Sequence, residues 1–190
     1  MWSDGLNTRR RGIGLLMLAG SLASPGLVAF QANEPQLLAE FDRRTGAYMA
    51  MHARIEAGLP ALGLQTDAGQ IETHQRLLAA RIQQERSGAQ PGDIFTPAIQ
   101  DWLKRRLQTG FAGRDREAIL QAIREEQEVQ VELRVNTPFP DGVGLAGLPV
   151  ALMRQLPPLP EALEYRVSDA HLVLWDGDAN LVVDFIDHAL

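Results

Sequence analysis

The spacing of hydrophobic residues changes once along the chain. Up to about residue 128 they recur at three- and four-residue steps, and beyond it they alternate. The first spacing lines one face of a helix, the second one face of a strand. Leu37, Leu38, Phe41, Tyr48, His52, Ile55 and Leu59 predict a helix over about Pro35–Ala57, with Pro35 in its first turn and Gly58 and Pro60 ending it. Ile71, His74 or Gln75, Leu78 and Ile82 predict a second helix over about Asp67–Ser87, capped by Thr66 or Asp67 and stopped at Ser87-Gly88. The short linker between them implies an antiparallel helical hairpin. Gly88–Phe95 reads as a loop. Thr96-Pro97 then gives a capping hydroxyl followed by proline, the start of a third helix that buries Ile99, Trp102, Leu103 and Leu107 and ends at Gly110. Asp115 opens a fourth helix, through Ile119, Leu120 and Ile123 to about Gln127.

The period then drops to two. Val129, Val131, Leu133 and Val135 alternate with Gln130, Glu132 and Arg134, which predicts a half-buried strand. Asn136–Gly142 is a turn-rich break, and Pro149–Leu156 reads as a short helix stopped by Pro157-Pro158 and Pro160. A meander follows: Leu163, Tyr165 and Val167, then Leu172–Trp175, then Leu181–Ile186, with turns at Ser168–Ala170 and at the hairpin dipeptide Asp176-Gly177. The expected architecture is α+β: an N-terminal helical hairpin and two further helices packed on a small antiparallel β-meander. Residues 33–190 form the expected single domain, mainly helical over 33–128 and mainly strands over 129–190.

Residues 1–32 stand apart from this pattern. Arg9, Arg10 and Arg11 form a basic region, Ile13–Ala23 is a short apolar run, and Ser24-Pro25-Gly26 breaks it ahead of small residues at Ala29 and Ala32. That order is the order of a secretory signal peptide, and the apolar run is shorter than the ~20 residues a membrane span needs. The expected location is therefore periplasmic or secreted, with no stable span left after cleavage at Ala29 or Ala32.

Composition narrows the chemistry. The chain has 190 residues, no cysteine, and 18 basic against 24 acidic residues. Without cysteine there is no disulfide scaffold, zinc finger, thiol nucleophile or bacterial lipoprotein anchor, whose lipid is carried on a cysteine. The negative balance argues against nucleic acid as a partner. Beyond residue 32 the serines are Ser87 and Ser168, both in turns and neither in a G-x-S-x-G elbow, and no phosphate-cradling glycine loop occurs. No cofactor is expected.

Four features carry candidate chemistry. His52 and His74 lie on the stripes of the first two helices, about equally far from the linker, so an antiparallel hairpin sets them at nearly the same level. Glu56 shares the His52 face four residues on. His52, His74 and Glu56 together are a candidate zinc shell; the competing reading is two partly buried, hydrogen-bonded histidines. Asp176, Asp178 and Asn180 have the spacing that opens a calcium loop, with Asp187 at the twelfth position. The sixth position is Leu181 where such a loop needs glycine, so a hairpin turn with solvated acids is the simpler reading. Glu161–Leu190 holds seven acids and one base, whereas Asp101–Arg116 holds five bases and two acids. The two runs are either a polar partner surface or paired carboxylates for acid–base work, or, more simply, ordinary solvated faces. Leu156–Pro160 is either a polyproline ligand segment or a rigid connector, the connector being the commoner use.

The motifs GDIF (Gly92–Phe95), VNTPFP (Val135–Pro140), LPPLPEALEYR (Leu156–Arg166) and DANLVVDFI (Asp178–Ile186) occur together. In this set the chain resembles a family of uncharacterised exported proteins of Gram-negative bacteria. The resemblance implies a signal peptide and a periplasmic or secreted location, and it transfers no activity, metal or cofactor. Three readings of function stand at this point. The first is a non-enzymatic periplasmic binding or accessory module, meeting an envelope protein through the helical hairpin or the acidic meander. The second is a small metal-binding protein or metal-dependent enzyme using His52 and His74. The third is a structural cell-envelope protein.

Overall fold

The computed structural model describes residues 34–63, 67–114, 116–126, 131–140, 143 and 145–190. The signal-peptide reading, Thr66, Asp115 and the residues at 127–130 lie outside this range. Among the described residues, five helices and five strands follow in the order α1 (Glu34–Glu56), α2 (Ala68–Glu85), α3 (Pro97–Gly110), α4 (Arg116–Glu125), β1 (Thr137–Pro138), β2 (Ala146–Gly147), α5 (Val150–Met153), β3 (Leu163–Ser168), β4 (His171–Asp176) and β5 (Leu181–Ile186). The strands make one antiparallel sheet, ordered β1-β5-β4-β3-β2. This is the expected α+β architecture, with the meander β3–β5 widened by a two-residue strand on each edge. No helix among the described residues is long and apolar enough to cross a membrane.

The main core lies between one sheet face and the helices. Phe41 and Tyr48 from α1, Leu78 and Ile82 from α2, and Ile99, Leu103 and Leu107 from α3 meet Leu163, Val167, Leu172, Leu174, Leu181 and Ile186. On α1 the buried positions are Phe41, Thr45, Tyr48 and His52, steps of four, three and four. Thr45 takes a place the apolar pattern did not assign, its hydroxyl donating back to the Phe41 carbonyl at 3.0 Å, while Leu38 is exposed. On α2, Asp67 and Gln70 form a reciprocal capping box, and Ile71 stands out in solvent although its spacing placed it inward. Thr96 occupies the N-cap of α3 ahead of Pro97, but its hydroxyl makes no cap hydrogen bond.

The other sheet face is covered by irregular chain. Val131, Leu133, Val143 and Leu145 pack with Phe139 on Val173 and Val182. The strand expected over Val129–Val135 does not form among the described residues: 131–134 carry no ladder, and pairing starts only at Thr137. Val131, Leu133 and Val135 are nonetheless half-buried and Glu132 and Arg134 exposed. The alternation reports which side chains turn inward, and an extended segment lying flat on a sheet needs it as much as a strand does. Asn136 closes this segment in the left-handed region (φ 60°). Its amide donates to the Gln83 and Arg86 carbonyls at 3.1 and 2.9 Å, satisfying the C-terminal end of α2.

Register shifts between β4 and β5. Leu174 pairs with Asp184 but Trp175 pairs with Val182, leaving Val183 as the extra residue of a bulge. The freed Val183 carbonyl accepts from both terminal nitrogens of Arg86 at 3.2 Å. The bulge also turns Asp184 onto the helix-facing side, opposite Leu174 on the neighbouring strand.

Candidate functional site

Strict alternation along β4 puts residue 176 on the same face as Leu172 and Leu174. Asp176 therefore enters the core at the end of the strand, fully buried. A buried carboxylate is costly unless paired and hydrogen-bonded, and α1 supplies the partners. Tyr48 and His52, four residues apart on one helix face, both reach Asp176 Oδ2: the Tyr48 hydroxyl donates at 2.6 Å and His52 Nδ1 stands at 2.8 Å. The other oxygen, Oδ1, accepts the Ala179 N–H at 3.0 Å and so also shapes the turn that follows. With the carboxylate ionised, Nδ1 carries a hydrogen, and in the neutral ring Nε2 keeps its lone pair.

That second nitrogen faces two carboxylates. Nε2 lies 3.7 Å from Glu56 Oε2 and 3.9 Å from Asp178 Oδ2. The imidazole is almost wholly buried, whereas the Glu56 and Asp178 side chains are 49% and 60% exposed, so the ring bridges the core and the surface. Titration follows from these neighbours. The hydrogen bond to Asp176 raises the His52 pKa, burial opposes it, and the charges of Asp176, Glu56 and Asp178 add to the rise. Asp178 is raised by burial and then by Asp176. The Tyr48 hydroxyl is pushed far up, first by burial and then by Asp176, so it stays a donor. Gln75 on α2 closes the turn by donating to the Gly177 carbonyl at 3.0 Å.

Of the residues singled out in the sequence, His52 and Glu56 come together here. His74 does not join them. Among the described residues, the set with all ligand atoms within 4.8 Å of one another is His52, Asp176 and Asp178. His74 is half-buried on α2 and lines a shallow hollow with Glu56, Ala53 and Leu62. The calcium-like spacing does not make a calcium loop, because its oxygens point three ways. Asp176 turns inward, Asp178 turns toward His52, and Asn180 accepts from the Trp175 indole at 3.2 Å while donating to the Phe139 carbonyl at 2.9 Å. Nor are all the C-terminal acids solvated, since Asp176 and Asp184 are both fully buried. In the basic segment, Arg106 pairs with Glu34 at the start of α1 and donates to the Gln155 carbonyl, so it is spent inside the fold.

Asp176 is the site residue that its acidic, turn-like context disguised; its parity with Leu172 and Leu174 is the signal that identifies it. No family model, curated protein or solved structure matches this chain.

Proposed function

We propose that the chain is an exported binding or accessory module of the bacterial envelope, working without catalysis through the end where the helical hairpin meets the β4–β5 turn. Export rests on the order of basic, apolar and small residues over positions 9–32. The binding role rests on one observation. Leu62 and Leu77 are 47% and 43% exposed, and both line an open hollow of about 380 Å³ at the hairpin end. Exposed apolar side chains grouped on a polar surface are the usual signature of a contact site. A catalytic reading fits the nearby His–Asp pair poorly, because Nε2 faces carboxylates where a nucleophilic hydroxyl would have to stand.

A photo-activated cross-linker placed at Leu62 or Leu77 in living cells tests this. The expected result is a discrete adduct with one envelope protein, absent when the cross-linker sits at exposed Glu132 behind the sheet. A uniform background at all three positions would favour a structural envelope protein instead. Fusing the C-terminus to a phosphatase that is active only outside the cytoplasm checks export separately: activity is expected, and its absence rejects the location.

A further inference from the structure

Independently of any protein partner, we propose that His52 Nε2, Asp178 and Glu56 bind a divalent cation of the zinc class, with Asp176 as the positioning residue behind the imidazole. A ring of exposed acids alone would not justify this. What distinguishes the site is the imidazole: it is 1% exposed, fixed through Nδ1, and aims at the two carboxylates an Nε2 that makes no hydrogen bond among the described residues. Histidine that ligates a metal almost always gives its other ring N–H to a carboxylate, which fixes tautomer and orientation. Asp176 does this, and its own freedom is removed by Tyr48 and the Ala179 N–H.

The distances suit a small ion. Bonds of about 2.0–2.1 Å in a tetrahedral shell place neighbouring ligand atoms about 3.3–3.4 Å apart. Nε2 stands 3.7 and 3.9 Å from the two oxygens, within a few tenths of an ångström of that spacing, while the Glu56 and Asp178 carboxylates, more than 4.8 Å from each other, must swing together to close the shell. Both are on half-exposed side chains, one on a helix and one in a turn, and can move that far. One nitrogen and two carboxylates favour zinc or a similar borderline ion over calcium or magnesium, which take oxygen ligands in larger number. Three protein ligands leave a fourth position open to water. The site differs from the one expected from the hairpin by exchanging His74 for Asp178, a residue 126 positions further along the chain than His52 that only the folded meander brings near.

The test uses the full chain without a histidine tag, stripped with a chelator and titrated with zinc by calorimetry, with cobalt(II) as the visible-absorption probe. One ion per chain is expected, together with a cobalt spectrum of a four- or five-coordinate site. Glu56→Gln and Asp178→Asn should each weaken binding about tenfold or more, and His52→Gln should abolish it. Asp176→Asn should weaken it by about 10- to 100-fold, the usual cost of losing the carboxylate behind a ligating histidine. His74→Gln should leave affinity unchanged. Because His52 and Asp176 are buried, the double variant Glu56→Gln/Asp178→Asn, which changes only half-exposed side chains, decides the matter if those two fail to fold. No uptake by the wild type, undiminished uptake by the double variant, or a loss in His74→Gln equal to that in Asp178→Asn would overturn the assignment. The cross-linking result at Leu62 and Leu77 is read separately, so failure of the metal site does not decide the partner, nor the reverse.

Discussion

Asp176 and Asp184 sit on the same hairpin and are equally inaccessible to solvent, yet they do different work. Asp184 is met by backbone. Its oxygens accept N–H groups from Gly92 at 3.1 Å and from Ile94 and Phe95 at 2.8 Å, and Oδ1 also takes the N–H of Phe185. Gly92 adopts φ 93°, which curls the loop so that its amides converge on one carboxylate. Asp176 is met chiefly by side chains, Tyr48 and His52. Backbone amides have no second functional end, so the Asp184 cluster is closed and its role is to clasp the 92–95 loop to the sheet. An imidazole does have a second end, and Asp176 presents that end to Glu56 and Asp178. Burial and residue type are the same at the two positions; what differs is whether the partner leaves an atom over.

The largest expected effect separates them by stability. Asp184→Ala leaves the buried amides of Ile94 and Phe95 and the half-buried amide of Gly92 without their acceptor and should cost about 3–5 kcal/mol. Denaturant titration checks the loss, and in whatever folded fraction remains, zinc uptake should be unchanged. A loss below about 1 kcal/mol would mean that the loop finds other acceptors and that Asp184 is no clasp. Asp176→Asn comes next, at about 2–3 kcal/mol. With the asparagine oxygen kept on the Ala179 N–H, the amide nitrogen takes the place of Oδ2 and donates to the Tyr48 hydroxyl and to Nδ1, which makes that ring nitrogen an acceptor and puts the hydrogen on Nε2. Nitrogen-15 NMR of the ring should report the tautomer exchange. If the tautomer stays as in the wild type, Asp176 does not control His52. Tyr48→Phe removes one hydrogen bond and keeps the ring in the core, so about 1–2 kcal/mol is expected with zinc stoichiometry unaltered. A larger loss, or loss of metal, would show that the tyrosine also holds the imidazole in place.

The sequence carried the elements better than their connections. Helix stripes are local, so Phe41, Tyr48 and His52 could be placed on one face from spacing alone, and Thr96-Pro97 and the three meander strands fell close to where turn chemistry put them. The buried role of Asp176 was legible in principle from its parity with Leu174. That of Asp184 was not. Strict alternation from Leu181 puts Val183 on the helix-facing side of the sheet and sends Asp184 to the opposite face. Only the bulge at Val183 reverses that, and a bulge is set by pairing with β4, not by the residues of β5. The His52–Asp176 contact spans 124 residues and has no local signature at all. Counting along two helices sets His74 level with His52 on the hairpin, but it does not fix the direction in which a ring points.

The smallest effect is a slope with pH. In the chelated, metal-free protein, His52 faces Asp176, Glu56 and Asp178, with the Tyr48 hydroxyl beside it on its own helix, and its folded pKa lies above the ordinary 6.5. The folded state therefore holds the proton more tightly than the unfolded one. The stabilisation is fully present below about pH 6.5 and is lost as pH rises through the raised folded value. Asp178, also raised, contributes in the same direction from a more acidic starting point. The stability difference between wild type and His52→Gln should thus be widest near about pH 6 and shrink toward about pH 9, measured by denaturant midpoints in chelator. A difference that stayed level, or widened with pH, would mean that His52 enters the fold as the neutral ring. Asp176 would then resemble Asp184 after all, a buried acceptor for fixed donors.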